Sequence, residues 1–550
     1  MPLQLADLPP ELIPQLLAPL VSRRDLFHAA LVSREWARPA QRLLLRHIRL
    51  FGRDLTVAPL LFQTLADNPH LARLVVKLEI RVYPLSMILR ERLDMEQLAI
   101  RMLRNCDNVE ELVWTRKGAL TDRVFEAIKQ LPRLRSFECN AHTDLSPGSW
   151  DADHFLDLPP LQSLSLILPD RKVSAMLPAF LGKQKALAST ATFDCGQEDI
   201  LLLEELSILC RESTVINDRV VKALAPALAG SRLTSLALAG CAKLTGAPLL
   251  DILPTLPHLR HLALEACALD PPFFRQAAPH LGQLRSLKLT HPGPRHPSLP
   301  AFFPALEALL DHTRALTAFT LYHSGASATG TREWPVLPHD FVQHVAGVVG
   351  ARLRKFEVSG VLVGVETVER LTSEASELRN LVLHLGHDFD LPRLTAAFAP
   401  LATLRTLHLL SQRSDVTADD VLALAEQCAP TLRQIGFRNR VWLVKRAYGP
   451  APAPSAATTT EPDRDRDPDP DACAVDKRHA KVSLGAYDLP WFPEALLVVR
   501  ARQIRFVETA AAFGAFRRNR YGAESDADSE VDTAEEAGSE SSEGDAEGGG

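Results

Sequence analysis

Leu233-Thr234-Ser235-Leu236-Ala237-Leu238-Ala239-Gly240-Cys241 and Leu259-Arg260-His261-Leu262-Ala263-Leu264-Glu265-Ala266-Cys267 repeat one pattern. Leu284-Arg285-Ser286-Leu287-Lys288-Leu289 follows with a third copy. The copies begin 26 residues apart (233 to 259) and then 25 (259 to 284). Leu236 and Leu238 are two apart, so an extended chain puts them on one face. On a helix, Leu233 and Leu238 would stand about 140° apart, and one stripe could not bury all three leucines. The spacing therefore predicts a strand in each copy, with Cys241 and Cys267 as small residues where the chain turns inward.

Weaker copies extend the pattern both ways. Upstream are Leu71-x-x-Leu74, Val109-x-x-Leu112-x-Trp114, Leu134-x-x-Phe137-x-Cys139 and Leu161-x-x-Leu164-x-Leu166. Downstream are Leu316-x-x-Phe319-x-Leu321, Leu353-x-x-Phe356-x-Val358, Leu378-x-x-Leu381-x-Leu383, Leu404-x-x-Leu407-x-Leu409 and Leu432-x-x-Ile435-x-Phe437. The gap from 161 to 233 predicts degenerate copies around Leu187 and Leu206. The longer steps before Leu316 and Leu353 predict insertions at 291–299 and 324–335, both rich in Pro, Gly and Ser. Between copies the period becomes helical: Val421, Leu424, Ala425 and Cys428 follow Thr417, a residue suited to an N-cap. Asp270-Pro271-Pro272 and Thr121 open helices in the same way.

The pattern resembles the leucine-rich repeat, L-x-x-L-x-L-x-x-N/C-x-L with a period of about 20–29 residues. A strand and a helix in so short a unit cannot bury their own apolar face, so the units must stack. The fold class expected is α/β: an N-terminal three-helix module followed by a horseshoe solenoid with a parallel inner sheet. Side chains between the core leucines would face the concavity: His261, Ala263 and Glu265, then Ser286, Lys288 and Thr290. Later copies offer Arg379, Val382 and His384, then Arg405, Thr406 and His408. Such surfaces bind other macromolecules. The target-binding candidates are therefore His261, Glu265, Ser286, Lys288, Arg379, His384, Arg405 and His408.

Residues 1–50 do not fit the repeat. Leu8-Pro9-Pro10-Glu11-Leu12-Ile13 is followed by Arg24-Asp25-Leu26 and by Leu31-Val32-Ser33-Arg34-x-Trp36. Proline suits a helix start, where its missing N–H is unpaired anyway, and Asp25 suits a cap. Pro14, at about the fifth helical position, removes a backbone hydrogen bond, and Pro19 should end the first helix early. Three short helices are expected. So short a unit buries too little surface to stand alone, so a partner or the next domain completes its core. Over about residues 5–50 these motifs, in this order, resemble an F-box. The resemblance implies docking on a Skp-type adaptor and, through it, a cullin–RING ubiquitin ligase. The adaptor contacts would then be Leu8, Pro9, Ile13, Leu26, Leu31 and Val32, with Trp36 in the core or the interface.

The remaining divisions follow composition. The solenoid spans 51–446. Residues 447–478 (Gly-Pro-Ala-Pro… Asp-Arg-Asp-Arg-Asp-Pro-Asp-Pro) carry almost no large apolar side chains and read as a disordered insertion. Residues 479–520, with Lys481-Val482-Ser483-Leu484 and the apolar run Phe492–Val499, read as a terminal repeat or cap. Residues 521–550 read as a disordered acidic tail. Residues 523–550 hold eleven of the acidic residues and no Lys or Arg. The net charge of −6 therefore leaves about +5 on the rest, thinly spread, which is no nucleic-acid footprint. Ser525, Ser529 and Ser542 each have an acidic residue three positions on, a pattern suited to acidophilic kinases or to a solubilising tail.

The eight cysteines form no C-x-x-C pair, and no basic-then-apolar leader opens the chain, so a reducing cytoplasmic or nuclear setting is expected. No stretch has the length of a membrane span. No phosphate-binding Gly-rich loop, G-x-S-x-G elbow or zincin motif appears. His384-x-x-His387-Asp388 has metal-like residue types split between a strand and its loop. No cofactor, metal or catalytic residue is expected. The reading is a substrate-recognition subunit with no bond chemistry of its own. The alternatives are a repeat scaffold or inhibitor without ligase role, and an enzyme with a non-local site, which a buried titratable cluster in a cleft would favour.

Overall fold

In a computed structural model the chain is described over residues 9–20, 23–51, 57–83, 89–145, 148–191, 201–323, 334–411, 413–438, 440–448 and 480–486. Its strands are β1 (His47–Leu50), β2 (Lys77–Ile80), β3 (Glu111–Trp114), β4 (Ser136–Asn140), β5 (Asp144–Leu145), β6 (Gly148–Ser149), β7 (Ser163–Ile167), β8 (Glu205–Asn217) and β9 (Ser235–Lys243). They continue as β10 (His261–Glu265), β11 (Ser286–Thr290), β12 (Ala318–Tyr322), β13 (Lys355–Leu362), β14 (Asn380–His384), β15 (Thr406–Leu410), β16 (Gln434–Phe437), β17 (Arg440–Tyr448) and β18 (Ala480–Ala486).

Sixteen of these form one sheet whose spatial order is the chain order, β1–β4 and then β7–β18; β5 and β6 form a separate hairpin. From β1 to β16 every neighbour is parallel. Parallel neighbours need a crossover, and in most units an α-helix fills it, as Pro271–Ala277 does between β10 and β11. In register, Leu262 stands between Leu236 and Leu287, and Leu264 between Leu238 and Leu289. All six, with Leu233, Leu259 and Leu284, lie in one core that runs from Ile48 to Phe437. Each fully buried leucine contributes roughly 1.5–3 kcal/mol. The helices cap as their sequences direct. Thr121 Oγ1 accepts from Val124 N–H, and Thr417 with Asp420 forms a reciprocal capping box. Asp270 makes no side-chain cap: Pro271 and Pro272 carry no N–H at the first two positions, and the Phe273 N–H bonds the Asp270 backbone carbonyl at 3.1 Å instead.

Several sequence expectations shift. The first unit is Leu45-x-x-Ile48-x-Leu50, so the sheet starts at His47 rather than after residue 50. The second is Val75-x-x-Leu78-x-Ile80; Leu71 sits in the short helix Pro69–Ala72. Leu206 lies on β8, but Leu187 lies in the long helix Arg171–Ala191, within the crossover between the paired strands β7 and β8. Asp25 is inside the helix Arg23–Ala30, not before it. Pro14 is the second residue of a helix at Ile13–Leu17, where its lost N–H costs nothing, and that helix ends before Pro19.

The strand at 480–486 is not a repeat strand. β17 follows β16 within two residues, through Arg438 in the left-handed region (φ +55°), so it must pair antiparallel, and β18 pairs antiparallel in turn. The apolar run at 492–499, most of the 447–478 segment and the tail lie outside the described residues.

At the other end stand α1 (Ile13–Leu17), α2 (Arg23–Ala30) and α3 (Arg34–Arg46). They enclose a small core of Ile13, Leu17, Leu26, Ala29 and Ala40, with Trp36, Leu43 and Leu44 packed against it. α3 runs without a break into β1, and its Leu45 packs instead against the solenoid core. Ser33 starts it, its hydroxyl accepting from Trp36 N–H at 3.3 Å.

Candidate functional site

Alternate strand residues that do not face the helices line the opposite face of the sheet, and two charged clusters form there. The first surrounds Glu79 on β2. Its side chain is nearly buried, yet it meets His47 Nε2 at 2.9 Å, Arg49 Nε at 3.2 Å, Arg81 Nε at 3.3 Å and Lys77 Nζ at 3.7 Å. Burial alone would raise its pKa. The His47 hydrogen bond and the three cations outweigh burial and hold the carboxyl far below the usual range. Arg81 extends the cluster to Glu138 on β4, at 3.6 Å.

The second cluster joins β10 to β13. Glu265 is 0% exposed and its Oε1 lies 2.7 Å from Lys288 Nζ. Lys288 also stands 5.9 Å over the ring of Tyr322. Two strands on, Lys355 Nζ meets Glu357 Oε2 at 3.1 Å, and Thr320 Oγ1 donates to the same oxygen at 3.3 Å. Burial raises the Glu265 pKa, against the opposing charge of Lys288. Burial, then the Glu265 charge, pushes the Tyr322 hydroxyl up, and burial pulls Lys355 down against Glu357. Between the clusters the face turns apolar, with Leu209, Ala237 and Ala239 flanked by Ile167 and Ala263.

The strand order and repeat spacing assign the architecture. The described chain is a leucine-rich-repeat-type solenoid. No family model matches the chain, and no curated protein matches its sequence. Among solved structures, one similar chain belongs to the Rad7 and Elc1 complex in yeast: 16% identity, 76% of this chain and 93% of that one covered, TM-score 0.38. Another is the leucine-rich repeat-containing protein LegL7 from Legionella pneumophila: 10% identity, 55% and 93% covered, TM-score 0.33. The architecture stated here rests on the strand order and the spacing.

The sequence-named residues separate into groups. His261 and Ser286 are register partners on β10 and β11, and Glu265 and Lys288 meet as an ion pair. His384 ends β14, its ring edge-on to Trp334 at 4.7 Å. His408 on β15 is buried beside Gly436, where any Cβ would come within 2.7 Å of its ring. Arg379 and Arg405 are not on the strand face; each stands one residue before its strand. Adjacent residues cannot share a face, so Arg405 and Thr406 could not both point inward. Tyr322, Lys355 and Glu357 were missed, although Lys355 and Glu357 alternate with the core residues Phe356 and Val358. Among the described residues no group of three or more His, Cys, Asp or Glu could hold a metal ion, and no helix is long and apolar enough to cross a membrane.

The N-terminal helices present a different surface. Leu31 is 68% and Val32 65% exposed, and Leu12, Leu16 and Phe27 are also exposed. Pro9 is exposed and Trp36 half-buried. Ile13 and Leu26, expected as contacts, are 1% and 6% exposed and hold the small core together instead. Leu8 lies outside the described residues.

Proposed function

We propose that this chain is the substrate-recognition subunit of a Skp–cullin–F-box ubiquitin ligase. It docks a Skp-type adaptor through its N-terminal helices and a target protein on the repeat surface. The observation that carries the reading is the apolar set Leu12, Leu16, Phe27, Leu31 and Val32, exposed on helices too small to be left bare. The sequence motifs that resemble an F-box supply Leu31, Val32 and the Ser33 cap. The chain itself does no bond chemistry. It acts by raising the effective concentration of target lysines near the ubiquitin-carrying enzyme, in cytoplasm or nucleus. Specificity for the target sits on the strand face and its rims.

A second reading, a repeat scaffold whose helices only cap the solenoid, draws on the unbroken passage of α3 into β1. Capture of purified Skp-type adaptor by the full chain separates the two. Leu31→Ser/Val32→Ser changes exposed side chains, so its melting temperature should match wild type while capture is lost. Failure of the wild-type chain to capture the adaptor, or undiminished capture by the variant, overturns the ligase reading.

A further inference from the structure

The residue just before each strand forms a rim along the sheet. Its carbonyl accepts from the N–H of its counterpart in the next unit, continuously from Arg46 to Arg433. The first seven rim positions are Arg46, Val76, Glu110, Arg135, Gln162, Glu204 and Thr234. The last seven are Arg260, Arg285, Thr317, Arg354, Arg379, Arg405 and Arg433, joined by N–H···O bonds of 2.7–2.9 Å. Six of these seven are arginine. The same strand–helix geometry upstream takes valine, glutamate, glutamine and threonine there, so the fold does not require arginine.

Five of the six arginines are exposed and Arg379 is half-buried, and none forms an ion pair with a described residue. Their charge is felt locally: burial lowers the pKa of His261, the Glu205 carboxylate raises it, and Arg285 and then Arg260 lower it. With strands about 4.8 Å apart, the six steps from Arg260 to Arg433 span about 29 Å.

The chain carries a complementary segment. Glu524, Asp526, Asp528, Glu530 and Asp532 alternate with Ser525, Ala527, Ser529 and Val531. In an extended chain these five carboxylates share one face and cover about 27 Å. The 37 residues from 487 to 523 can bridge up to about 120 Å, so the tether does not limit reach. We propose that the arginine rim is the docking surface for the chain's own acidic segment, Glu524–Asp532, bound extended along the strand starts. This inference is independent of what the N-terminal helices bind.

The test uses fluorescein-labelled deca-glutamate and anisotropy at about 50 mM salt, with the full chain throughout. Neutralising Glu524, Asp526, Asp528, Glu530 and Asp532 to Gln or Asn should uncover the rim and tighten probe binding about tenfold over wild type. Adding Arg354→Gln/Arg379→Gln/Arg405→Gln should abolish that gain, as should about 0.5 M salt. The rim variant changes two exposed side chains and the half-buried Arg379, and an unchanged melting temperature verifies its fold. Equal probe binding by wild type and the neutralised tail overturns the proposal. So does a gain of the same size when Glu535, Glu536, Glu540, Glu543, Asp545 and Glu547 are neutralised instead. Undiminished binding by the rim variant, or tighter binding of oligothymidylate than of deca-glutamate, also overturns it.

Discussion

Replacing Lys288 with Met puts one number on the buried cluster. Glu265 has no exposed surface and its 2.7 Å partner is Lys288. Without that ammonium the carboxylate must either stay charged in a low dielectric or take a proton. Removing one partner of a buried pair costs about 3–5 kcal/mol. Protonation sets the ceiling: from an ordinary glutamate pKa of about 4.3, it costs roughly 3.7 kcal/mol at pH 7 and only about 1 kcal/mol at pH 5. Lys288→Met should therefore lose about 3.5 kcal/mol at pH 7 and recover most of it at pH 5. The sign follows from linkage. A carboxyl whose folded pKa is raised binds more protons when folded, so stability falls as pH rises above its unfolded value. Burial already raises Glu265 in the native chain, and losing Lys288 extends that window upward. Denaturant midpoints at pH 5 and 7 make the measurement, because in a solenoid a local interface propagates to its neighbours. The double variant Glu265→Leu/Lys288→Met should return to within about 1 kcal/mol of wild type, as apolar replacements of buried pairs do. A loss below about 1 kcal/mol at pH 7, or one independent of pH, would refute the account.

Other predictions are simpler. Gly360 has φ +72°, and a Cβ there would collide with the His323 carbonyl oxygen, so Gly360→Ala should cost at least about 2–3 kcal/mol in chemical denaturation. Phe125 packs among Phe137, Trp150 and Phe155 with centroids at 5.9, 4.6 and 5.5 Å; Phe125→Ala should cost about 3–5 kcal/mol by the same assay. Glu79 has a strongly depressed pKa, so its contribution is present above about pH 4.3 and is lost as pH falls further. Glu79→Gln should flatten that acid limb in a stability-versus-pH series, and an unchanged acid limb would count against the cation cluster.

The sequence by itself determined the solenoid. Three clean copies of L-x-x-L-x-L fix the strand and its buried face, because the side-chain period of a strand is two and a one-residue slip would expose every leucine. The strand-face positions of His261, Glu265, Ser286 and Lys288 follow from the same parity. The second unit reads four residues early in the sequence because Leu71-x-x-Leu74 offers a competing leucine spacing just ahead of Val75-x-x-Leu78-x-Ile80, and the first is masked by its overlap with the end of α3. Only the tertiary structure decided the rest. That Glu265 and Lys288 form an ion pair depends on how neighbouring strands are offset, which spacing within one unit does not state. That Ile13 and Leu26 are enclosed while Leu31 and Val32 face outward depends on how three short helices close on one another. The arginines of the rim are scattered at intervals of 25 to 28 residues apart from the step across Thr317. They become one row because parallel stacking turns a fixed place in each unit into a neighbour about 4.8 Å away.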